Sequence, residues 1–373
     1  MTAISFALTV WRWIVSRRFP LHRRRAVHTS LPGITFLKPL KGCDAETKNC
    51  LRSWFLQEYP GPIQILFGVA SAEDPVRPIV EELLAEFPNA DARLMVCGEN
   101  LGANAKASTL RQLEPHCRHE LLMISDADVR VPRDFAVNVA PYLADPAVGL
   151  VNCFYRLANP STVAMRWEAV AINADFWTQV LQSRSLRPVD FALGAVMTLP
   201  AAQLKAIGGF ATLADFLADD YQLGRQVARQ QKRIEFATVV ADCCDPAMSW
   251  AQVWAHQSRW AQTIRVCQPG PFFLSILNNA TVWPVLLLLD TRAPLAVCAS
   301  AACVAFRVVT ALRQESMMTQ SSAYAVHWWM APVKDLLDAV LWAGAFAGNQ
   351  IVWRGDRYRV LRGGKLQKIQ AQI

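Results

Sequence analysis

The strongest constraint on the fold is the regular alternation of strand-like and helix-like segments through the first two thirds of the chain. Short apolar runs at residues 34–37 and 63–70 predict buried strands, whereas residues 75–87 carry apolar side chains at helical spacing. Strands that alternate with helices form a mostly parallel sheet with helices on both faces. The sequence therefore predicts an α/β domain over residues 34–245. Such domains often bind nucleotides, but a fold alone does not determine function.

Two aspartates, Asp126 and Asp128, directly follow the apolar run of residues 121–124. In open α/β sheets, ligands bind in the crevice outside the carboxyl ends of the strands, where we expect these carboxylates to lie. Two oxygen donors can hold a hard divalent cation, and this cation can in turn bind a diphosphate. The same pattern also fits an aspartate-rich turn that caps a helix starting near Pro132. The motif alone leaves both interpretations open.

The composition is more apolar than that of an ordinary soluble enzyme, with 53% hydrophobic residues, 18% charged residues and a mean hydropathy of +0.17. A net charge of +8 is compatible with nucleic-acid binding. However, the basic residues cluster beside apolar segments, at residues 17–25 and 354–368. That distribution indicates the positive-inside signature and attraction to anionic lipid. We therefore expect a lipid bilayer as partner and no nucleic acid.

The amino-terminal segment predicts a membrane anchor. Residues 1–16 are apolar apart from Arg12, and the charges follow them, which is the reverse of a cleaved signal peptide. Residues 17–33 then form a basic linker. About 16 residues are marginal for crossing a hydrocarbon core roughly 30 Å thick, so a tilted interfacial helix is the alternative.

The carboxyl-terminal third predicts further membrane contact. Residues 246–271 read as an amphipathic interfacial helix. Residues 272–353 contain three apolar segments, at 272–289, 293–312 and 336–353. Three full spans after a cytosolic domain would leave the basic tail, residues 354–373, outside the cytoplasm, against the positive-inside rule. Either one segment is re-entrant, or residues 323–331 add a shallow fourth crossing.

Two further motifs follow predicted strands or start predicted helices. Glu73-Asp74 follows the second strand, where a carboxylate can accept hydrogen bonds from a ribose or uracil, although it also suits a helix cap before Pro75. The segment from Gly102 to Lys106 combines a glycine turn, a helix start and a lysine, which suits a phosphate. By itself this second signal is weak, and a solvated lysine is the alternative.

The last two motifs lie nearer the carboxyl terminus. Asp219 and Asp220 at a helix start favour the helix dipole, or include a general base whose pKa the neighbouring acid raises. His256, Arg259 and Trp260 lie on the interfacial helix. There an arginine can neutralise a departing diphosphate and a tryptophan can contact sugar or lipid. The alternative is that these side chains only lie along the apolar surface and extend their polar ends to water.

The order of these motifs is more informative than any one of them. Asp74, Asp126-x-Asp128, Asp220 and Arg259-Trp260 resemble the D, D, D, (Q/R)-x-x-R-W pattern of processive and lipid-directed inverting glycosyltransferases. More specifically, the chain resembles the ceramide glucosyltransferase family over about residues 1–365. The stretches that support this resemblance are residues 37–42, 91–94, 149–151, 218–221 and 357–364.

The resemblance implies a GT-A fold, the Rossmann-like α/β architecture of nucleotide-diphospho-sugar transferases, with an N-terminal membrane anchor and C-terminal transmembrane or interfacial helices. It implies that Asp74, Lys106, Asp126 and Lys38 contact the donor nucleotide and its phosphates. Asp128, together with Asp126, is implied to bind Mg²⁺ or Mn²⁺.

The resemblance also implies the reaction. A hexose, with glucose as the family expectation, passes from a UDP-sugar to the hydroxyl of ceramide or a related membrane lipid, with inversion. Asp220 is the implied general base, with Asp219 beside it. His256, Arg259 and Trp260 would close the site at the membrane face of a cytosolic catalytic domain.

Two residues depart from the family pattern. His256 occupies a position that is usually Gln or Arg, and Asp128 is present where animal members often lack the second acid. The second departure strengthens metal binding and suggests a bacterial-type branch in an inner membrane. The alternatives are a hopanoid-type transferase that uses UDP-N-acetylglucosamine, and a processive polysaccharide synthase.

Overall fold

The computed structural model describes residues 1–25, 30–353 and 356–369. Residues 26–29 of the predicted basic linker, and residues 354–355 and 370–373 of the predicted tail, therefore lie outside the described residues. The strands are β1 (Ile34–Leu40), β2 (Ile63–Val69), β3 (Asp91–Val96), β4 (Leu121–Ser125), β5 (Val129–Arg130), β6 (Val148–Leu157), β7 (Val196–Pro200), β8 (Arg233–Cys243), β9 (Gln350–Trp353), β10 (Asp356–Val360) and β11 (Leu366–Lys368). The helices are α1 (Thr2–Arg18), α2 (Thr47–Phe55), α3 (Arg77–Glu86), α4 (Ala105–Leu113), α5 (Phe135–Val139), α6 (Val163–Val170), α7 (Trp177–Arg184), α8 (Ala201–Ala206), α9 (Asp219–Arg229), α10 (Trp250–Cys267), α11 (Pro269–Leu274), α12 (Val282–Asp290), α13 (Pro294–Thr319) and α14 (Met330–Gly344).

Eight of these strands form one sheet in the order β3-β2-β1-β4-β7-β6-β8-β5. Strands β3, β2, β1 and β4 are parallel neighbours, as are β6 and β8. Strand β7 runs antiparallel between β4 and β6, and the two-residue strand β5 runs antiparallel to β8. The mostly parallel sheet predicted from the alternating pattern is therefore confirmed.

The central strands are buried on both faces. In β1, Phe36 packs into the hydrophobic cluster on one face and Leu37 into the cluster on the other. In β4, Met123 and Ile124 divide between the same two clusters. Burial on both faces explains why these strands read as continuous apolar runs rather than as alternating patterns. Each such side chain stabilises the fold by about 1.5–3 kcal/mol.

Helices α1 and α13 bury polar side chains and expose apolar ones, which is the reverse of the pattern in a soluble protein. The buried residues of α1 are all polar: Ser5, Thr9, Arg12 and Ser16. Those of α13 include Ser300, Arg307, Thr310, Gln314 and Glu315. Their apolar side chains face outward, and Leu295 is 82% exposed. Because exposed apolar faces are costly in water, this arrangement is typical of helices that face lipid.

A buried ionic network joins these helices to the α/β domain. The Arg307 guanidinium donates to Asp175 Oδ2 at 2.7 Å and to Asp335 Oδ1 at 2.8 Å. Lys334 Nζ donates to the same Asp175 oxygen at 2.6 Å, and Arg12 lies 3.5 Å from the other oxygen. Asp175 belongs to a π-helical stretch, Ala171–Phe176, between α6 and α7. The network therefore joins α1, α13 and α14 to one carboxylate, that of Asp175.

The predicted apolar segments differ from the observed helices. The first is broken: the helical stretch Pro269–Asn278 and α12 meet at 58°. The third is not one helix, because α14 ends at Gly344 and residues 350–353 form strand β9. Glycines are poor helix formers and the following Ile-Val-Trp favours a strand, which explains the break. The segment considered as a fourth crossing holds a 3₁₀ turn, Ala323–His327, and the start of α14.

By length and composition, α13 is the one described helix that can cross a membrane, or one of two if the bent pair counts as a span. Its mean hydropathy over the most apolar window is 2.1. The anchor helix α1 is 17 residues long and agrees with the marginal length expected from the sequence.

The carboxyl-terminal segment packs back onto the α/β domain. Strands β9, β10 and β11 form a small antiparallel sheet. The backbone N–H of Leu217 donates to the Gly364 carbonyl at 3.0 Å, and Gln222 Nε2 donates to Gly363 at 2.7 Å. These contacts join residues 363–364 to Leu217, just before α9, and to Gln222, in the first turn of α9. The described part of the region expected as a basic tail is therefore part of the folded domain.

The buried ionic network generates a stability prediction. We expect Arg307→Met to lower the free energy of unfolding by about 3–5 kcal/mol, because it leaves the carboxylates of Asp175 and Asp335 buried without their main partner. The matched control is Arg313→Met, since Arg313 is exposed on the same helix. Thermal unfolding of both variants in detergent tests this. Equal unfolding midpoints for the two variants would contradict it.

Candidate active site

The candidate site lies at the carboxyl ends of the parallel strands β1, β2 and β4. Asp74, in the loop after β2, reaches across to the loop after β1 and accepts from the Gly42 N–H at 3.0 Å. The same oxygen, Oδ1, accepts from the Val76 N–H at 3.0 Å, just before α3 begins. Asp74 therefore holds the turn before α3, whose cap residue is Val76, and also joins two loops at the edge where ligands bind in such sheets.

Asp126 and Asp128 occupy the connection between β4 and β5. The Val129 N–H donates to the Asp126 carbonyl at 3.4 Å, and the Cys244 N–H donates to the Asp128 carbonyl at 2.9 Å. The next helix, α5, starts only at Phe135. The motif is thus held between two strands and does not cap a helix, which removes the alternative left open by the sequence.

Lys38 holds the backbone of this connection through hydrogen bonds from its buried ammonium group. Its side chain is fully buried, lies 4.5 Å from the Trp54 ring, and donates to Ser125 Oγ at 3.1 Å and to the Asp126 carbonyl. Burial lowers the Lys38 pKa to about 7, despite the opposing effect of Asp126 and Asp128. Its contacts fix the backbone of the aspartate motif, and direct contact with a nucleotide stays a prediction.

Lys106 connects the two acidic motifs. Its ammonium lies 2.6 Å from Asp126 Oδ1 and 3.7 Å from Asp219 Oδ2. It is held at the start of α4, where Asn104 accepts from the Lys106 N–H at 3.0 Å and donates to Phe216. Burial alone would lower the Lys106 pKa, but the carboxylates of Asp126 and Asp219 raise it above its ordinary value. The sequence identified this lysine, but not its position between the two motifs.

Asp220 has the electrostatic environment of a proton acceptor. Burial, and then the neighbouring Asp219, raise its pKa to about 7, against the opposing effects of Lys106 and the Tyr221 N–H. That N–H donates to Asp220 Oδ1 at 2.7 Å. A Cβ on Gly194 would lie 3.0 Å from Asp220 Oδ2, so glycine leaves space beside the carboxylate. A carboxylate with a pKa near neutrality suits general base catalysis.

The carboxylates of Asp126 and Asp128 suit a divalent cation whose remaining coordination positions are filled by a bound ligand and water. Burial raises the Asp128 pKa to about 7, and the charges of Asp126 and Asp245 add to this effect. Within residues 1–25, 30–353 and 356–369, no group of three or more His, Cys, Asp or Glu side chains could hold a metal by itself. Mg²⁺-type sites commonly use one or two carboxylates plus substrate phosphates and water. Asp126 and Asp128 fit that pattern.

The interfacial helix α10 contributes His256 and Trp260, whose ring centroids are 5.0 Å apart. The helix runs from Trp250 to Cys267, within the predicted residues 246–271, and Ser249 caps it through a capping box with Gln252. An aromatic row leads back toward the acids, because Trp260 lies 5.9 Å from Phe176, which lies 5.6 Å from Tyr155.

Arg259 and Trp260 are both half-buried on this helix. The charge of His256 lowers the pKa of Asp245, although burial raises that pKa overall. Asp245 in turn influences Asp128. His256 and Asp128, one of the predicted metal ligands, are therefore linked electrostatically through Asp245.

The sequence reasoning did not identify Glu168 or Asp245. Glu168 in α6 is fully buried and accepts from His256 Nδ1 and Gln257 Nε2, both at 2.7 Å. The available signal was a lone acid among the apolar and aromatic residues around it in the sequence, because buried carboxylates are rare unless paired. Asp245 was treated only as the end of the α/β domain.

The family model described as Glycosyl transferase family 21 matches residues 1–366. The chain is 33% identical to a ceramide glucosyltransferase of Candida albicans over 108 residues, covering 26% of this chain and 20% of that protein. It is 23% identical to ceramide glucosyltransferase 3 of Caenorhabditis elegans over 216 residues, covering 57% of this chain and 46% of that protein. The chain thus spans half or less of the length of these relatives.

A solved structure supports the fold. A mannosyltransferase from Pyrobaculum calidifontis, in complex with GDP-Man and Mn²⁺, aligns with a TM-score of 0.52 at 19% identity, covering 93% of this chain and 97% of that chain. At this level of identity the similarity concerns the fold alone. It agrees with the GT-A architecture expected from the sequence.

The raised pKa of Asp220 generates a stability prediction with a definite sign. Its unfolded-state pKa is near 4, so the stability of the unaltered protein falls as pH rises from about 4 to about 7, because the folded state holds its proton longer. Asp220→Asn removes this cost. We expect the variant to be more stable by on the order of 2–4 kcal/mol at pH 8, and by less at pH 5.

Thermal unfolding at pH 5 and pH 8 measures this difference. The control is Asp215→Asn, an exposed acid four residues before α9. A variant whose gain in stability is equal at both pH values would contradict the assignment of a buried, charge-destabilised carboxylate at position 220.

Proposed function

Because the chain belongs to glycosyl transferase family 21, we propose that it transfers a hexose, namely glucose, from a UDP-sugar to the hydroxyl of ceramide or a related membrane lipid, with inversion. One observation carries the proposal: the Lys106 ammonium lies between the carboxylates of Asp126 and Asp219. It therefore places the proposed metal-binding motif beside the motif that contains the proposed general base. The relatives named ceramide glucosyltransferase support glucose and ceramide as substrates.

In this proposal the donor lies at the carboxyl ends of β1, β2 and β4. Asp74 and Asp126 contact the uridine, Lys106 contacts the phosphates, and Asp128 with Asp126 holds Mg²⁺ or Mn²⁺. A cation bound there acts as a Lewis acid that stabilises the leaving UDP. The mannosyltransferase with a similar fold was solved with Mn²⁺ and a nucleotide sugar, which agrees with this arrangement.

Asp220 acts as the general base. It accepts the proton of the lipid hydroxyl while the hydroxyl oxygen attacks the anomeric carbon from the side opposite the departing UDP, so the configuration inverts. With a pKa of about 7, this carboxylate is a stronger base than an ordinary aspartate and is still substantially ionised at neutral pH. Asp219, held by Lys106 and Asn104, keeps a second negative charge beside it.

The lipid reaches the site from the bilayer. Helices α1 and α13 present apolar side chains outward, and α10 carries His256, Arg259 and Trp260. We propose that α12 and α13 form a re-entrant hairpin. From Arg307 onward α13 packs against the domain, so roughly 13 residues, about 20 Å at 1.5 Å per residue, project beyond it. That length is short of a core of roughly 30 Å.

A re-entrant hairpin resolves the conflict with the positive-inside rule. Both the α/β domain and the carboxyl-terminal sheet then lie on one side of the membrane, which the basic clusters assign to the cytosol. Labelling of a cysteine introduced at Thr291, at the tip of the hairpin, tests this topology in intact cells. Labelling by a membrane-impermeant reagent from the outside would contradict it.

Product analysis tests the activity. Membranes that contain the protein are incubated with Mn²⁺, separate UDP-sugars and a total lipid extract, and new glycolipids are identified by mass spectrometry. We expect a mass gain of one hexose on ceramide with UDP-glucose. A polymeric sugar product would instead indicate a polysaccharide synthase, and a gain of N-acetylhexosamine on a hopanoid would indicate the other alternative.

The base assignment predicts a selective loss. Asp220→Asn should lower the transfer rate by about 10²- to 10⁴-fold, because an amide cannot accept the hydroxyl proton, while UDP still binds. Transfer is measured by glycolipid formation and binding by calorimetry with UDP and Mn²⁺. Asp215→Asn is the control and should retain transfer. Normal turnover by Asp220→Asn would show that another group is the base.

The metal assignment predicts a changed cation requirement. Asp128→Asn should raise the Mn²⁺ concentration needed for half-maximal transfer by at least about tenfold, because a neutral amide is a poorer ligand for a hard cation. The control is Asp145→Asn, since Asp145 is exposed on the surface after α5. The assignment fails if both variants show the same Mn²⁺ dependence as the unaltered protein.

A further inference from the structure

Glu168 is a fully buried carboxylate that the proposed reaction does not use. It lies in α6, three residues before the π-helical stretch Ala171–Phe176. Its Oε1 accepts from His256 Nδ1 and from Gln257 Nε2, each at 2.7 Å, whereas Oε2 has no hydrogen-bond partner in the described part of the chain. A buried carboxylate is costly unless a charge or strong donors offset it. Both donors come from consecutive residues of α10.

The contact requires that Nδ1 of His256 carries a hydrogen, because a carboxylate oxygen only accepts. In the neutral ring Nε2 would then be an acceptor, so an Nε2–H donor requires the imidazolium, whose positive charge the Glu168 carboxylate balances. The contact also fixes the orientation of the ring, as in metal-site histidines that donate one nitrogen to a carboxylate. The edge-on contact with Trp260, with ring centroids 5.0 Å apart and planes inclined at 65°, further restrains the ring. Nε2 is then the nitrogen left for a ligand.

The position of His256 indicates what that ligand is. The imidazole is half-buried, 23% exposed, and is close enough to Asp245 for its charge to alter that carboxyl group. Asp245 is in turn a neighbour of Asp128, one of the two proposed metal ligands. Asp245 also directly follows Cys244, whose N–H donates to the Asp128 carbonyl at 2.9 Å, so the imidazole is a neighbour of the loops that carry a proposed metal ligand. A diphosphate held by that metal would be a strong hydrogen-bond acceptor.

We propose that Glu168 is a positioning residue that pairs with the imidazolium of His256 and orients it so that its Nε2–H donates to the diphosphate of the bound nucleotide. The inference rests on the proposed function for the identity of that ligand. It accounts for a histidine at a position where the resembling motif has Gln or Arg, because the buried carboxylate orients the ring and balances the charge that an Nε2–H donor requires. Glu168 itself touches neither the donor nor the acceptor.

A purely structural role makes different predictions. If Glu168 only joined α6 to α10, then loss of either donor would have the same kind of effect, and binding of any nucleoside would fall together. Gln257→Ala is therefore the matched control, because it removes the other hydrogen bond to the same oxygen. The comparison of UDP with uridine separates diphosphate contacts from contacts with the base and ribose.

The experiment measures UDP and uridine affinity, with Mn²⁺ present, for the full-length protein and four variants: Glu168→Gln, His256→Gln, the double variant and Gln257→Ala. We expect Glu168→Gln to weaken UDP binding by about 10- to 100-fold and to leave uridine binding unchanged. In the His256→Gln background, Glu168→Gln should change UDP binding by less than about threefold, because the two residues act as one unit. Gln257→Ala should retain UDP affinity.

The inference is overturned if Glu168→Gln weakens UDP and uridine equally, or if it weakens UDP to the same extent with and without His256. Glu168→Asp keeps the charge but moves the carboxylate away from His256, so it should lower UDP affinity by a smaller factor and leave uridine affinity unchanged. This variant replaces Glu168→Gln if Glu168→Gln does not fold. Binding of UDP without any transfer to lipid would overturn the proposed function alone. Failure of the unaltered protein to bind UDP would overturn both.

Discussion

The ion pair between Arg307 and Asp175 is the interaction on which the arrangement of the molecule depends. Asp175 lies in the π-helical stretch between α6 and α7, and Arg307 lies near the middle of the longest apolar helix. Lys334 and Arg12 bring α14 and α1 to the same carboxylate. Since a buried charge without its partner is very costly, these helices hold one position relative to the sheet. The site and the lipid-facing surface are therefore parts of one rigid frame.

The acidic site is organised by two lysines that experience opposite electrostatic effects. Lys38 is buried beneath the aspartate motif and contacts a hydroxyl and a carbonyl, so burial lowers its pKa. Lys106 lies between two carboxylates, which raise its pKa. One lysine thus fixes the backbone that presents the proposed metal ligands, while the other reduces the repulsion that would otherwise separate the acids. Asp220, which no lysine contacts within the described residues, keeps a pKa near neutrality.

Much of this arrangement followed from the sequence, and what did not depends on long-range contacts. The alternating pattern predicted the mostly parallel sheet, and the ordered motifs led to the family that the comparisons confirmed. Asp126 and Asp128 were located by the strand before them. By contrast, Glu168 meets His256 across 88 positions of sequence, and no local spacing predicts such a pair. The break after Gly344 was missed because an apolar run carries the same hydropathy whether it forms a helix or a strand.

The contacts of Gly363 and Gly364 have a consequence for the biosynthesis of the protein. These glycines hold Gln222 and Leu217, beside the first turn of the helix that carries Asp219 and Asp220. A ribosome makes that helix well before the last strands of the chain, and the hydrophobic hairpin is made between the two. The acids reach their final environment only after residues 363–364 have been made and have packed beside α9. Maturation of the site is therefore coupled to synthesis of this late segment, and a nascent chain halted in its apolar region holds an unfinished site.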